Sequence, residues 1–175
     1  MDHHDHVRLI RAGVLGAGPR WADLGSGDGA FTLALAELLG RPGRIVSVDR
    51  DASALGRQRR ALVERFPEVS VEQRTADFSA PLELAALDGI VMANSLHFVR
   101  DQAAVLARVH DYLRDGGRLV LVEYDADAGN AWVPFPISFV RWEGLAAAAG
   151  LRDTHRLGSI PSRFLGSIYS AVSVR

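Results

Sequence analysis

Asp23-Leu24-Gly25-Ser26-Gly27-Asp28-Gly29-Ala30 joins a short apolar run, Trp21 to Leu24, to a helix-periodic segment that begins at Ala30. Glycines between a strand and a helix let the chain turn tightly and bring bare backbone against a ligand at the helix N-terminus. Gly25, Gly27 and Ala30 satisfy the dinucleotide pattern G-x-G-x-x-G/A, and Asp49 stands about where its ribose-binding acid would fall. Taken alone, the pattern also fits a glycine turn that holds no ligand.

Outward from this loop, short apolar runs alternate with helix-periodic segments, the pattern of a mainly parallel α/β sheet. Ala30 to Leu39 sets Phe31, Leu35, Leu38 and Leu39 on one helix face, and Gly40 and Pro42 stop it. Arg44 to Val48 is a β-branched strand closed by Asp49, and Ser53 to Phe66 is an Arg-rich helix ended by Pro67. Val69 to Arg74 reads as a third strand leading into a loop, Thr75 to Pro81. Ile90 to Ala93 is a fourth strand, apolar enough to be central. Asp101 caps a helix to Leu113, and Arg118 to Tyr124 is a fifth strand. A loop from Asp125 to Ile137 precedes a helix from Phe139 to Ala149. Leu151 to Leu157 and Phe164 to Val174 are separated by a short loop containing Pro161, too short for a parallel crossover, so they should pair antiparallel. The expectation is a single α/β domain over residues 1–175, built of five βα units and a terminal hairpin. Its sheet would be seven-stranded, mostly parallel and doubly wound, with helices on both faces.

Composition removes much chemistry. The 175 residues carry 20 basic and 21 acidic side chains, so no overall charge steers the molecule to nucleic acid or an anionic membrane. All 20 basic residues are Arg, and there is no Cys. Schiff bases, a Walker-type lysine, thiolate metal sites and cysteine nucleophiles are therefore excluded. Met1 to Arg11 lacks the apolar core of a secretory signal, and no apolar run approaches the ~18–20 residues that cross a bilayer. A soluble, cytoplasmic protein is expected. Asp2-His3-His4-Asp5-His6 has the composition of a metal site, but a cluster so near a chain end reads as a solvated tail. The Arg57, Arg59, Arg60 and Arg65 group reads as a solvated helix face rather than a nucleic-acid surface.

The charges around the glycine loop separate its candidate ligands. Asp23 and Asp28 bracket the place where a dinucleotide would lay its pyrophosphate. One carboxylate within about 5 Å of a phosphate costs on the order of 3 kcal/mol at an effective dielectric near 20. A ligand with no phosphate and a cationic end reverses that sign. S-adenosylmethionine carries a sulfonium, an ammonium and an adenosine, and so fits better than a nicotinamide cofactor.

The order Asp-x-Gly-x-Gly-x-Gly from Asp23, Val48-Asp49 after the second strand and Ala76-Asp77-Phe78 after the third resembles class I S-adenosylmethionine-dependent methyltransferases. Asn94-Ser95-Leu96-His97-Phe98-Val99-Arg100-Asp101 and Leu113-Arg114-Asp115-Gly116-Gly117-Arg118-Leu119 are similar to the same enzymes around their fourth and fifth strands. The nearest group is the small bacterial enzymes related to quinone-biosynthesis methyltransferases. The resemblance implies a role for each matched residue. Gly25, Ser26, Gly27 and Gly29 would floor the methionyl part of the donor, with Asp23 orienting the loop or meeting the ammonium. Asp49 would take both ribose hydroxyls, and it is expected to matter for binding and little for thermal stability. Asp77, reached from Ala76, would take the adenine amino group, with Phe78 or Arg50 covering the ring. Asn94, at the end of the fourth strand, would pass the donor with its backbone carbonyl, its side chain facing the acceptor or capping the loop. S-adenosylhomocysteine would be the product.

On the acceptor side, His97 is the one histidine on the rim loops, and histidine is the side chain that most readily takes a proton near neutrality. Tyr124 and Asp125 are the alternative bases, and a His97 that only bonds its own loop is the other reading. Trp132, Pro134 and Phe135 would help line an apolar pocket for a small-molecule acceptor. Only about 20 residues precede the glycine loop, so a cap over the site would come from residues 1–19, the Asp125–Ile137 loop or a homodimer partner. The alternative classes are an NAD(P)-binding oxidoreductase and a non-catalytic S-adenosylmethionine-binding protein. They are separated by which nucleotide binds and by turnover.

Overall fold

Strands buried on both faces need apolar side chains in both directions, and the runs 87–93 and 119–122 supply them. In the computed structural model, which describes residues 1–175, these runs occupy the centre of one seven-stranded sheet. Its strands are β1 (Arg20–Leu24), β2 (Arg44–Asp49), β3 (Ser70–Thr75), β4 (Leu87–Ala93), β5 (Leu113–Tyr124), β6 (Arg152–Pro161) and β7 (Ser167–Val174). They lie in the order β3-β2-β1-β4-β5-β7-β6. β1 to β5 run parallel, and β7 inserts antiparallel between β5 and β6.

The helices are α1 (His3–Val14), α2 (Ala30–Leu39), α3 (Ala52–Arg65), α4 (Gln102–Tyr112) and α5 (Phe139–Ala148). One core layer joins Ile10, Phe31, Leu35 and Leu62 from α1 to α3 with Trp21, Val91 and Val120 from the sheet. The other joins Val105, Leu106, Val109 and Trp142 from α4 and α5 with Ile90, Met92 and Leu121. Alternation along β4 and β5 sends successive side chains to opposite layers, as strand geometry requires.

Three expectations are corrected. The N-terminus is not a solvated tail: Asp2 and Asp5 form a reciprocal capping box, and Val7, Leu9, Ile10 and Val14 of α1 are buried. Val7, Ile10 and Val14 recur at helical spacing, a signal that the histidines between them obscured. Gly13 lets α1 approach Val120 of β5 so closely that a Cβ there would collide with it. The count of five βα units is also too high, because residues 76–86 join β3 to β4 without a helix. Finally, Pro161 closes β6 rather than standing in the loop.

Candidate active site

In an open parallel sheet a crevice opens where the strand order reverses, beyond the carboxyl ends of the strands. Here that point is β1, flanked by β2 on one side and β4 on the other. The glycine loop crosses it. Gly25, Gly27 and Gly29 have φ of 81°, 52° and 90°, the left-handed region that side chains disfavour. At Gly25 the need is double, since a Cβ would also strike the Ser95 side chain. The loop hangs from β2: the Gly25 and Ser26 N–H groups both donate to Val48 O, at 2.9 and 3.0 Å.

Asp49, at the end of β2, tightens this arrangement. Its Oδ2 accepts the Gly27 N–H at 2.7 Å and its Oδ1 accepts the Asp51 N–H at 2.8 Å. The expectation that Asp49 holds nothing together without a ligand is therefore corrected. An ionised carboxylate has about four acceptor sites, so two such bonds leave capacity for ligand hydroxyls.

A cavity of about 450 Å³ opens beside the loop, lined among others by Gly25, Asp49, Arg50, Ala76, Asp77, Phe78 and Asn94. Seven of the residues singled out from sequence thus meet around one space. Ser79, Ser95, Phe98, Val99 and Arg100 line it too and were not singled out for the donor. Asp77 accepts the Ser79 N–H at 2.8 Å. Bonds from Ser79, helped by the Arg50 charge, hold its carboxyl below the usual carboxylate range. Asn94 takes a positive φ of 50° at the end of β4, and its Oδ1 is buried without a hydrogen-bond partner. Ser95 Oγ donates to Leu24 O at 2.8 Å and ties this rim to β1.

Asp23, Ser26, Gly27 and Gly29 do not line the cavity. Asp23 points from β1 toward α2, fully buried, and accepts the Thr32 hydroxyl at 2.6 Å. Burial, abetted by the charge of Asp49 and opposed by the Thr32 bond, pushes its carboxyl up to about 7. Asp28 faces solvent and pairs with Arg57 at 2.6 Å. Neither acid presents a free charge to the cavity, so the electrostatic reason for excluding a phosphate is corrected: Asp49 and Asp77 are the carboxylates that line it.

On the acceptor side, His97 lies in the single 3₁₀ turn Leu96–Phe98 and is only 2% exposed. Its Nδ1 is 2.7 Å from Oε2 of Glu123, a fully buried residue of β5. A carboxylate only accepts, so Nδ1 is the donor, and no protein group bonds Nε2. His97 does not line the cavity, but Phe98, whose ring centroid lies 4.2 Å from that of His97, does. The Tyr124 ring packs edge-on to His97, and burial together with the Glu123 charge raises its phenol above the ordinary value. Asp125 is committed elsewhere: it accepts the Phe139 N–H at the start of α5 and pairs with Arg156 at 2.8 Å. Glu123 was missed because a lone acid in a strand reads as solvent-facing. Trp132 is 75% exposed and Phe98 57% exposed, while Phe135 lies under the Arg100 guanidinium. Residues 1–19 contribute nothing to the cavity lining.

A seven-stranded sheet with this order and a ligand cleft over a glycine loop defines a Rossmann-like α/β domain. A family model described as a methyltransferase domain matches residues 22–119, and the chain belongs to that family. It is 33% identical over 109 residues to the ubiquinone/menaquinone biosynthesis C-methyltransferase UbiE of Teredinibacter turnerae, which covers 61% of this chain and 43% of that one. The chain spans less than half the length of the curated relatives it matches. Among solved structures it superimposes on magnesium protoporphyrin IX methyltransferase of Synechocystis with bound SAM, with a TM-score of 0.77 at 16% identity over 99% of this chain and 79% of that one. For the 1,6-didemethyltoxoflavin-N1-methyltransferase of Burkholderia thailandensis, with 1,6-didemethyltoxoflavin and S-adenosylhomocysteine bound, the TM-score is 0.74 at 20% identity, over 99% and 77%. At these identities the structural likeness carries the fold.

Proposed function

We propose that the chain transfers a methyl group from S-adenosylmethionine to an oxygen, nitrogen or carbon atom of a small-molecule acceptor. The observation that carries this reading is the cavity at the strand-order switch, with its glycine loop and the spare acceptor capacity of Asp49. These groups fit an adenosine that bears a cationic amino-acid tail. Asp49 takes the ribose hydroxyls, Asp77 and Phe78 flank the adenine, and Asn94, at the end of β4, offers its backbone carbonyl to the passing donor. When bound, S-adenosylmethionine supplies a methyl group already activated by its sulfonium. The protein's own contribution is alignment, which can be worth very large effective molarities.

The 1,6-didemethyltoxoflavin-N1-methyltransferase among the structural neighbours supports a small-molecule acceptor, as do the aromatic Phe78 and Phe98 in the cavity lining, although Trp132, Pro134 and Phe135 do not line it. Two of the arginines of α3 are occupied within the fold, Arg57 by Asp28 and Arg59 by Gln73, which favours a solvated helix over a nucleic-acid surface. Where the accepting atom carries a proton, His97 is the group assigned to remove it, with Nδ1 fixed by Glu123 and Nε2 free. Tyr124, held protonated, is the poorer base.

A labelled-methyl screen over small phenols, amines and carbon acids tests this reading. Transfer to at least one class is expected. With that acceptor, His97→Ala should keep S-adenosylhomocysteine affinity and lower turnover about 10²-fold or more, the scale of general bases. Binding of S-adenosylhomocysteine with no transfer to any acceptor would favour a non-catalytic donor-binding protein.

A further inference from the structure

Beneath the glycine loop lies a row of polar side chains that the chemistry above does not use. Parallel register sets Asp23 of β1 beside Ser47 of β2, and Ser47 beside Gln73 of β3. The row lies on the side of the sheet covered by α2 and α3, where polar groups must find partners or destabilise the fold. Gln58, fully buried on α3, provides them. Its Oε1 accepts the Gln73 amide at 2.6 Å and lies 2.9 Å from Ser47 Oγ. Its Nε2 donates to Ser26 Oγ at 3.2 Å and to Thr32 Oγ1 at 3.1 Å. Two lone pairs and two N–H groups are the whole capacity of a carboxamide, and all four are engaged.

Two of these partners belong to the glycine loop and the helix it opens. Ser26 is one of the two side chains of the loop, the other being Asp28, and Thr32 lies in the first turn of α2 and holds Asp23. Gly29 faces the same side chain, since a Cβ there would collide with Gln58 Cγ. One residue earlier, Arg57 grips Asp28 from outside. α3 therefore holds the loop from within and without.

We infer that Gln58 is a positioning residue for the donor site, setting the glycine loop through Ser26. The inference rests on the reading of that loop as the donor floor. Gln58→Met keeps the size of the side chain and removes all four bonds, and Ser26→Ala removes the loop's bonds to Gln58 and to Ser47 Oγ, which lies 2.7 Å from Ser26 Oγ. Both variants, their double, and Val109→Ala as a control buried on α4 would be compared by amide hydrogen exchange without ligand and by calorimetry with S-adenosylhomocysteine. Faster exchange at Gly25 to Gly29 in Gln58→Met and Ser26→Ala, at least tenfold weaker binding, and a double variant no worse than the worse single one are expected. Val109→Ala should change neither readout. A folded Gln58→Met with wild-type loop protection would overturn the inference, and so would fully additive losses in the double variant. If Gln58→Met does not fold, unchanged loop exchange in Ser26→Ala overturns it. Failure of the wild-type protein to bind S-adenosylhomocysteine would instead strike the donor reading, because the exchange arm needs no ligand.

Discussion

Asp49 shows how one carboxylate can serve both fold and ligand. It accepts two backbone N–H bonds that set the glycine loop, and it faces the cavity with capacity to spare. Asp49→Ala should weaken S-adenosylhomocysteine binding by about 2–4 kcal/mol, the scale of charge-assisted hydrogen bonds. It should also lower stability by about 1–3 kcal/mol without ligand, because the Gly27 and Asp51 N–H groups lose their acceptor. Calorimetry and denaturant melts read the two effects; a variant as stable as wild type would contradict the structural half. Asp23, one strand away, acts through its own titration. Its carboxyl rises from 3.8 in a model peptide to about 7 in the fold, so the folded state holds the proton more tightly than the unfolded chain. Its contribution to stability is greatest below about pH 4, falls as pH rises toward 7, and levels off above. The span is on the order of a few kcal/mol. Asp23→Asn keeps an acceptor for Thr32 and should remove that slope. Melting temperatures from pH 4 to 8 should show wild type losing ground to the variant as pH rises, whereas parallel curves would contradict the assignment.

At the scale of elements, local signals carried the reading and long-range ones escaped it. The glycine loop, α2, β2 and the cap at Asp101 were legible because their determinants lie within a few residues of one another. The row of Asp23, Ser47 and Gln73 was not, because strand register brings together residues far apart in sequence. Gln58 was hidden for a related reason: it stands in the run Arg57-Gln58-Arg59-Arg60, and composition says surface where the fold turns one side chain inward. α1 was lost behind its histidines, although its buried face packs on α2 and β5. Ile10, fully buried, is the test of that helix. Ile10→Ala should cost about 2–5 kcal/mol, the range for large-to-small changes in a core. Binding of S-adenosylhomocysteine to the folded variant should be unchanged, because α1 supplies no cavity-lining residue. A loss of affinity in step with the loss of stability would tie α1 to the site.

For the whole molecule, the sheet order puts the cleft where the glycine loop, the end of β2, the β3–β4 connection and the end of β4 converge. The cavity-lining residues on the ends of β2, β3 and β4 were legible because they follow the strand ends in sequence order. The acceptor half was less so: His97 and Glu123 meet only through the pairing of β4 with β5, and the rim aromatics are spread over separate loops. Asp49, Asp77 and Asn94 supply polar groups to the cavity, whereas Phe78, Phe98 and Val99 supply its apolar lining. The central claim is that the cavity takes S-adenosylmethionine rather than a nicotinamide dinucleotide. The direct measurement is calorimetric titration of the purified chain with S-adenosylhomocysteine and, separately, with NAD and NADP. Saturable one-to-one binding of S-adenosylhomocysteine alone, weakened by Asp49→Ala, is the predicted result. Saturable binding of NAD or NADP, with none of S-adenosylhomocysteine, would contradict it.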